Sequence, residues 1–176
     1  MHALVLVLQL HNLAGAPPRT VAAAALEVSR MYAQIGVTIA WRDAAEPIGD
    51  DVDVVRVVVL PVETGDLRRA PDTVMGAAIV AGWRTRVAYV YYDRVRSEAE
   101  RNSASTPQVL ACAIAHEVGH LLLPGEAHSP KGLMRASWQR DDFNRANQGQ
   151  LRFSAEQIAR IRLQTSVEHE GGERAR

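Results

Sequence analysis

The sequence predicts a single domain of the α/β (α+β) class, and three observations predict it. In the first half of the chain, short apolar runs of strand length surround one stretch of helical spacing. A more apolar helical stretch follows near 106–123, and a capped one begins near 154. A length of 176 residues with 47% hydrophobic content suits one domain with its own core. That domain is expected over 1–168, and the polar run 169–176 is expected to be a disordered tail.

The elements follow in order. Leu4–Leu10 has the composition of a strand. Thr20–Ile35 has apolar residues at helical spacing, and Gly36 stops it. Val37–Trp41 and Val54–Leu60 are further strands, with an acidic loop between them. The order strand, helix, strand, strand predicts a crossover helix between parallel strands. Met75–Val80 and Val87–Tyr92 are two more short strands around Gly82-Trp83-Arg84-Thr85. Residues 93–105 are polar and read as a loop. Thr106 is a suitable N-cap with Pro107 at the first helical position, and Pro124-Gly125 ends that helix. After Met134 a loop runs to Gly149; Ser154 and Gln157 then form a capping box for the last helix.

Charge narrows the partners. There are 20 basic and 20 acidic residues, and the basic residues are scattered, so neither nucleic acid nor an anionic membrane is expected. Lys131 is the only lysine among the basic residues, a compositional bias rather than a phosphate-binding surface. Cys112 is the only cysteine, so no intrachain disulfide can form. Core packing is its expected role, with a thiolate ligand or a nucleophile paired with His116 as alternatives. Ala3–Leu8 followed by Ala14-Gly15-Ala16 has some likeness to a signal peptide. No cation precedes the run and polar residues interrupt it, so a first strand is expected. As written the chain is expected to be cytoplasmic, with prior removal of an export signal left open, and to be a monomer.

Residues 116–120 are His-Glu-Val-Gly-His. On a helix His116 and His120 leave the same face one turn apart, so both imidazoles can bind one zinc at roughly 2.0–2.1 Å. Glu117 lies beside them, where its carboxylate can act as a general base toward water at the metal. Two solvated histidines on a surface helix are the plainer alternative. The apolar residues at 109, 110, 113, 114, 121 and 122 argue against it, because polar groups on a buried helix need partners. A catalytic zinc uses three protein ligands. His128, returned by the turn at Gly125, is the candidate third, with Glu126 and Glu156 as rivals.

His116, Glu117, His120, Gly125, His128 and Met134 together resemble the signature of the metzincin clan of zinc metallopeptidases. The Gly-x-x-His unit is kept as Gly125–His128 but displaced by two residues, and the methionine follows closely in Gly132-Leu133-Met134. The resemblance implies a metzincin-like zincin: a small mixed twisted sheet of about five strands, a crossover helix, an active-site helix and a C-terminal helix. It implies one Zn²⁺ per chain on His116, His120 and His128, with Gly125 and Met134 supporting, and hydrolysis of peptide or protein substrates with Glu117 as base and acid. It also implies an edge strand that pairs with substrate, for which Val87, Ala88 and Tyr89 are the candidates; an internal strand is the alternative. Trp138 and Phe143 are candidates for an apolar pocket wall, and 61–74 and 93–106 for variable loops. The chain has no tyrosine after Tyr92, so a tyrosine following the methionine turn is absent. A zinc-binding protein without peptidase activity is the second reading.

Overall fold

The computed structural model describes residues 4–47, 54–62, 74–81, 85–123, 125 and 127–174, with backbone alone for 81, 85 and 166–174. Five strands and five helices form in the order β1 (Leu4–Asn12), α1 (Pro18–Ala33), β2 (Val37–Arg42), β3 (Val54–Leu60), β4 (Gly76–Ala81), β5 (Thr85–Tyr91), α2 (Tyr92–Arg101), α3 (Thr106–Leu122), α4 (Arg140–Asn147) and α5 (Ala155–Arg174). The strands make one sheet in the order β2-β1-β3-β5-β4. β1 runs parallel to β2 and β3, β3 runs parallel to β5, and β4 alone is antiparallel. The parallel β1–β2 pair joined through α1 is the expected crossover unit.

Side-chain alternation explains which face is covered. Leu6, Leu8, Val55, Val57, Val59, Ala88 and Val90 are buried in one core with residues of α1 and α3. Val5, Arg56 and Ile79 are out of step with them and exposed. One cross-sheet row joins Val59, Val90 and Gly76, and the next joins Val57, Ala88 and Ala78. The antiparallel strand therefore presents Gly76 and Ala78 to the helix layer, where α3 packs.

α3 is the centre of that layer, with every residue from Val109 to Ala115 buried. The Tyr32 hydroxyl on α1 donates to the Ala115 carbonyl at 3.2 Å, and the Tyr32 ring meets Phe153 edge-on. The cap is Ser105 rather than Thr106, so Pro107 sits one place further in. Either place suits proline, because first-turn N–H groups have no helical partner.

Several expectations need correction. β5 lies between β3 and β4, so Val87, Ala88 and Tyr89 belong to an internal strand; the edges are β2 and β4. Strand order comes from long-range pairing, which the alternation within a strand does not encode. Residues 92–101 form a helix rather than a polar loop, because Tyr92, Val95 and Ala99 supply a narrow buried stripe within a charged run. The segment 135–148 contains α4, which buries Phe143 and Ala146 and is capped by Gln139 and Asp142 side chains. α5 continues to Arg174 through most of the expected tail, since an established helix adds one hydrogen bond per residue fixed. Residues 63–73 of one expected variable loop, Gly82-Trp83-Arg84 between β4 and β5, Pro124 and Glu126 lie outside the described residues. Among the described residues no helix is long and apolar enough to cross a membrane.

Candidate metal centre

α3 delivers His116 and His120 to one side of the sheet, and the chain returns after Gly125 with His128. Gly125 has φ +83°, a left-handed backbone that glycine adopts without a side-chain clash. His116 and His120 are part-buried and His128 is exposed. Their ring nitrogens lie within 4.8 Å of one another, and the two Nε2 atoms of His116 and His120 are 3.0 Å apart. A tetrahedral zinc with nitrogens at roughly 2.0–2.1 Å separates any two of them by about 3.3 Å. The group can therefore hold a small divalent ion once the widest pair of nitrogens draws together. The protonation of the donors agrees with this. Burial lowers His116 to a pKa of about 4, and burial with the neighbouring His128 lowers His120 to about 4. Both rings are neutral at physiological pH, as metal ligands must be.

The tautomer of His116 is set by its surroundings. Its Nδ1–H donates to the Leu133 carbonyl at 2.8 Å, which leaves Nε2 facing the other histidines. The same carbonyl accepts the Trp138 indole N–H at 3.1 Å, and the Trp138 ring stands edge-on to His116. Phe143 is buried behind Trp138, with ring centres 5.9 Å apart. Of the two aromatic candidates, Trp138 lines the cleft and Phe143 supports it.

Met134 is fully buried beneath α3. A Cβ on Gly119, the fourth residue of the pentapeptide, would meet the Met134 sulfur at 2.7 Å and the Phe153 ring at 3.0 Å. The motif helix can sit this low only because that position lacks a side chain.

Glu117 is 7% exposed, and burial raises its carboxyl to a pKa of about 8. Among the described residues its carboxylate has no hydrogen-bond partner. It lines a cleft of about 390 Å³, whose floor is Ala113, His116, Glu117 and His120. One wall is Gly76, Ala77, Ala78 and Val80 of β4, and another is Arg135, Ala136 and Trp138. Arg135 also donates to Asp142 at 3.2 Å.

Two of the rival donors, Cys112 and Glu156, fall away from this centre, while Glu126 lies outside the described residues. Cys112 is 2% exposed and burial pushes its thiol up to about 12, so it packs as a small hydrophobe. Glu156 is exposed on α5, outside the histidine group. The sequence reading did not single out Gly76, Gly119, Arg135 or the Leu133 carbonyl. The glycine at 119 was visible as the single glycine of the motif helix; the others carry no local signal.

The five-stranded mixed sheet and its helix layer have a counterpart among solved structures. A solved structure of metalloproteinase-II from Bacteroides fragilis is similar to this chain with a TM-score of 0.56 at 13% identity, over 93% of this chain and 54% of that one. The chain thus spans about half the length of that protein, and at this identity the likeness is one of fold. No protein-family model and no curated protein matches the chain.

Proposed function

We propose that this protein is a zinc-dependent metallopeptidase whose ligands are His116, His120 and His128 and whose general base and acid is Glu117. One observation carries the reading: three imidazoles, two of them kept neutral by burial, converge beside a buried carboxylate, in a cleft whose wall is an edge strand. A bound zinc supplies Lewis-acid activation of water and of the scissile carbonyl. The chain's own groups account for the rest. The Leu133 carbonyl holds His116 in the tautomer that directs Nε2 to the metal. The Glu117 carboxylate accepts the proton of the attacking water and delivers it to the departing amine. Among the described residues no strand pairs with the outer side of β4, so an extended peptide can dock there by strand addition along Gly76–Ala81.

Glu117→Gln tests this. The variant should retain zinc while cleavage of a mixed peptide library falls by roughly 10²–10⁴-fold. Unchanged turnover would remove Glu117 from the mechanism. A wild-type protein that holds zinc but cleaves no peptide would favour the metal-binding reading instead.

A further inference from the structure

His128 differs from the other two histidines in how it is held. Its ring is exposed, and among the described residues it makes no hydrogen bond; it lies against the rings of His116 and His120. His116, by contrast, is steered through its own ring by a carbonyl. The direction of the His128 ring must therefore come from its backbone. That backbone lies in a non-repetitive segment at the point where the spacing after the pentapeptide is two residues longer than in the resembled signature.

The backbone is gripped from α5. The Gln157 amide nitrogen donates to the Ala127 carbonyl at 3.1 Å and to the Ser129 hydroxyl at 3.2 Å, the residues on either side of His128. The opposite end of the same side chain is also occupied. Its Oε1 accepts the Ser154 backbone N–H at 2.9 Å, while the Ser154 hydroxyl accepts the Gln157 N–H at 3.2 Å. Gln157 is 6% exposed, and Ala127 is buried beside it. The Ser129 N–H in turn donates to the Met134 carbonyl at 2.9 Å, so the segment is tied to both α5 and the turn beneath the site.

We infer that Gln157 is a positioning residue for the metal site: its amide clamps the peptide on both sides of His128 and so aims the third imidazole. The inference rests on the zinc site proposed above. A capping box accepts Glu as readily as Gln at this position, because the cap uses only the side-chain oxygen. The clamp uses the nitrogen. Capping therefore does not require glutamine, and the amide donor is what the His128 segment requires. Outer partners that orient metal ligands are commonly worth about 10–100-fold in metal affinity.

Gln157→Glu separates the two roles. It keeps the oxygen that accepts from Ser154 and replaces the donor with an oxygen facing the Ala127 carbonyl. Zinc affinity would be measured by competition with a chromophoric chelator, alongside the visible absorption of the Co²⁺-substituted protein and the melting of the metal-free protein. Gln157→Glu should bind zinc about 10–100-fold more weakly than wild type and shift the cobalt bands, with the metal-free melt lowered by the two lost hydrogen bonds. Ser154→Ala should lower the melt as well but leave zinc affinity and the cobalt spectrum as in wild type. Should Gln157→Glu fail to fold, Ser129→Ala removes one of the two grips and should show the same weakening to a smaller degree. Wild-type affinity and an unshifted spectrum in Gln157→Glu, with wild type binding zinc, would overturn the inference and leave the zinc site standing. A wild type that takes up no zinc would overturn both.

Discussion

Gly76, the first residue of the edge strand, faces Glu117 so closely that a Cβ placed on it would come within 2.7 Å of the Glu117 Cγ and Oε1. The same Cβ would lie 2.5 Å from the Tyr89 carbonyl oxygen. That carbonyl is backbone of an internal strand and cannot yield cheaply. Gly76→Ala must therefore displace either the β4 backbone or the carboxylate. The expected cost is roughly 1–3 kcal/mol of stability, with a loss of hydrolysis well beyond that of a neutral surface change. Zinc stoichiometry, measured by plasma mass spectrometry, should be unchanged. Wild-type turnover in this variant would show that the position of Glu117 tolerates the shift.

The contact between Gly119 and Met134 makes a second prediction. Gly119→Val places a branched side chain against the Met134 sulfur and the Phe153 ring. We expect roughly 1–3 kcal/mol of destabilisation by overpacking in urea denaturation. Met134→Ala alone should cost roughly 2–5 kcal/mol by leaving a cavity. The double variant should recover part of the sum, because each change relieves the other. Strict additivity would place the two residues out of contact.

Zinc should stabilise the folded chain by mass action. At a free zinc concentration a hundredfold above the dissociation constant the gain is about 2.7 kcal/mol. Thermal melts with zinc and with chelator should differ accordingly in wild type. His128→Ala should lose most of the difference while its chelated melt stays near wild type, since the ring is exposed and makes no hydrogen bond among the described residues. A melt in His128→Ala that still rises with zinc as in wild type would remove that residue from the ligand set.

The metal-free protein should have opposing pH dependences. His116 and His120 are lowered from 6.5 to about 4, so the native state resists their protonation while the unfolded chain accepts it. Stability is then complete above 6.5 and is lost as pH falls toward 4. Glu117 is raised from 4.5 to about 8, so the native state resists its ionisation. That contribution is complete below 4.5 and is lost as pH rises toward 8. Glu117→Gln should thus gain on wild type steadily between pH 4.5 and 8 in metal-free urea titrations, by a few kcal/mol at most. A constant difference across that range would contradict the raised carboxyl.

Much of this organisation was legible in the residues. β3 has the expected bounds of Val54–Leu60, and β1, β2 and β4 differ by a residue or two. The Ser154–Gln157 capping box forms as its three-residue spacing requires. α2 and α4 were missed because their apolar stripes are short: Tyr92, Val95 and Ala99 in one, Phe143 and Ala146 in the other. Over so few turns, packing against α3 and the core rather than periodicity decides whether a polar segment becomes helical.

The sequence by itself determined what is local. The i, i+4 spacing of His116 and His120 on a helix aims both rings the same way, and the apolar residues around them bury that helix. Tertiary structure decided what depends on distant segments meeting. It made β4 rather than β5 the edge, brought the Leu133 carbonyl to His116, set Gly76 against Glu117, and turned a helix-capping glutamine into a clamp on the His128 segment. The physical reason is common to all four. Periodicity and capping act through neighbours one turn or one pleat away, whereas strand order and close backbone approach depend on hydrogen bonds and excluded volume between segments far apart in the chain.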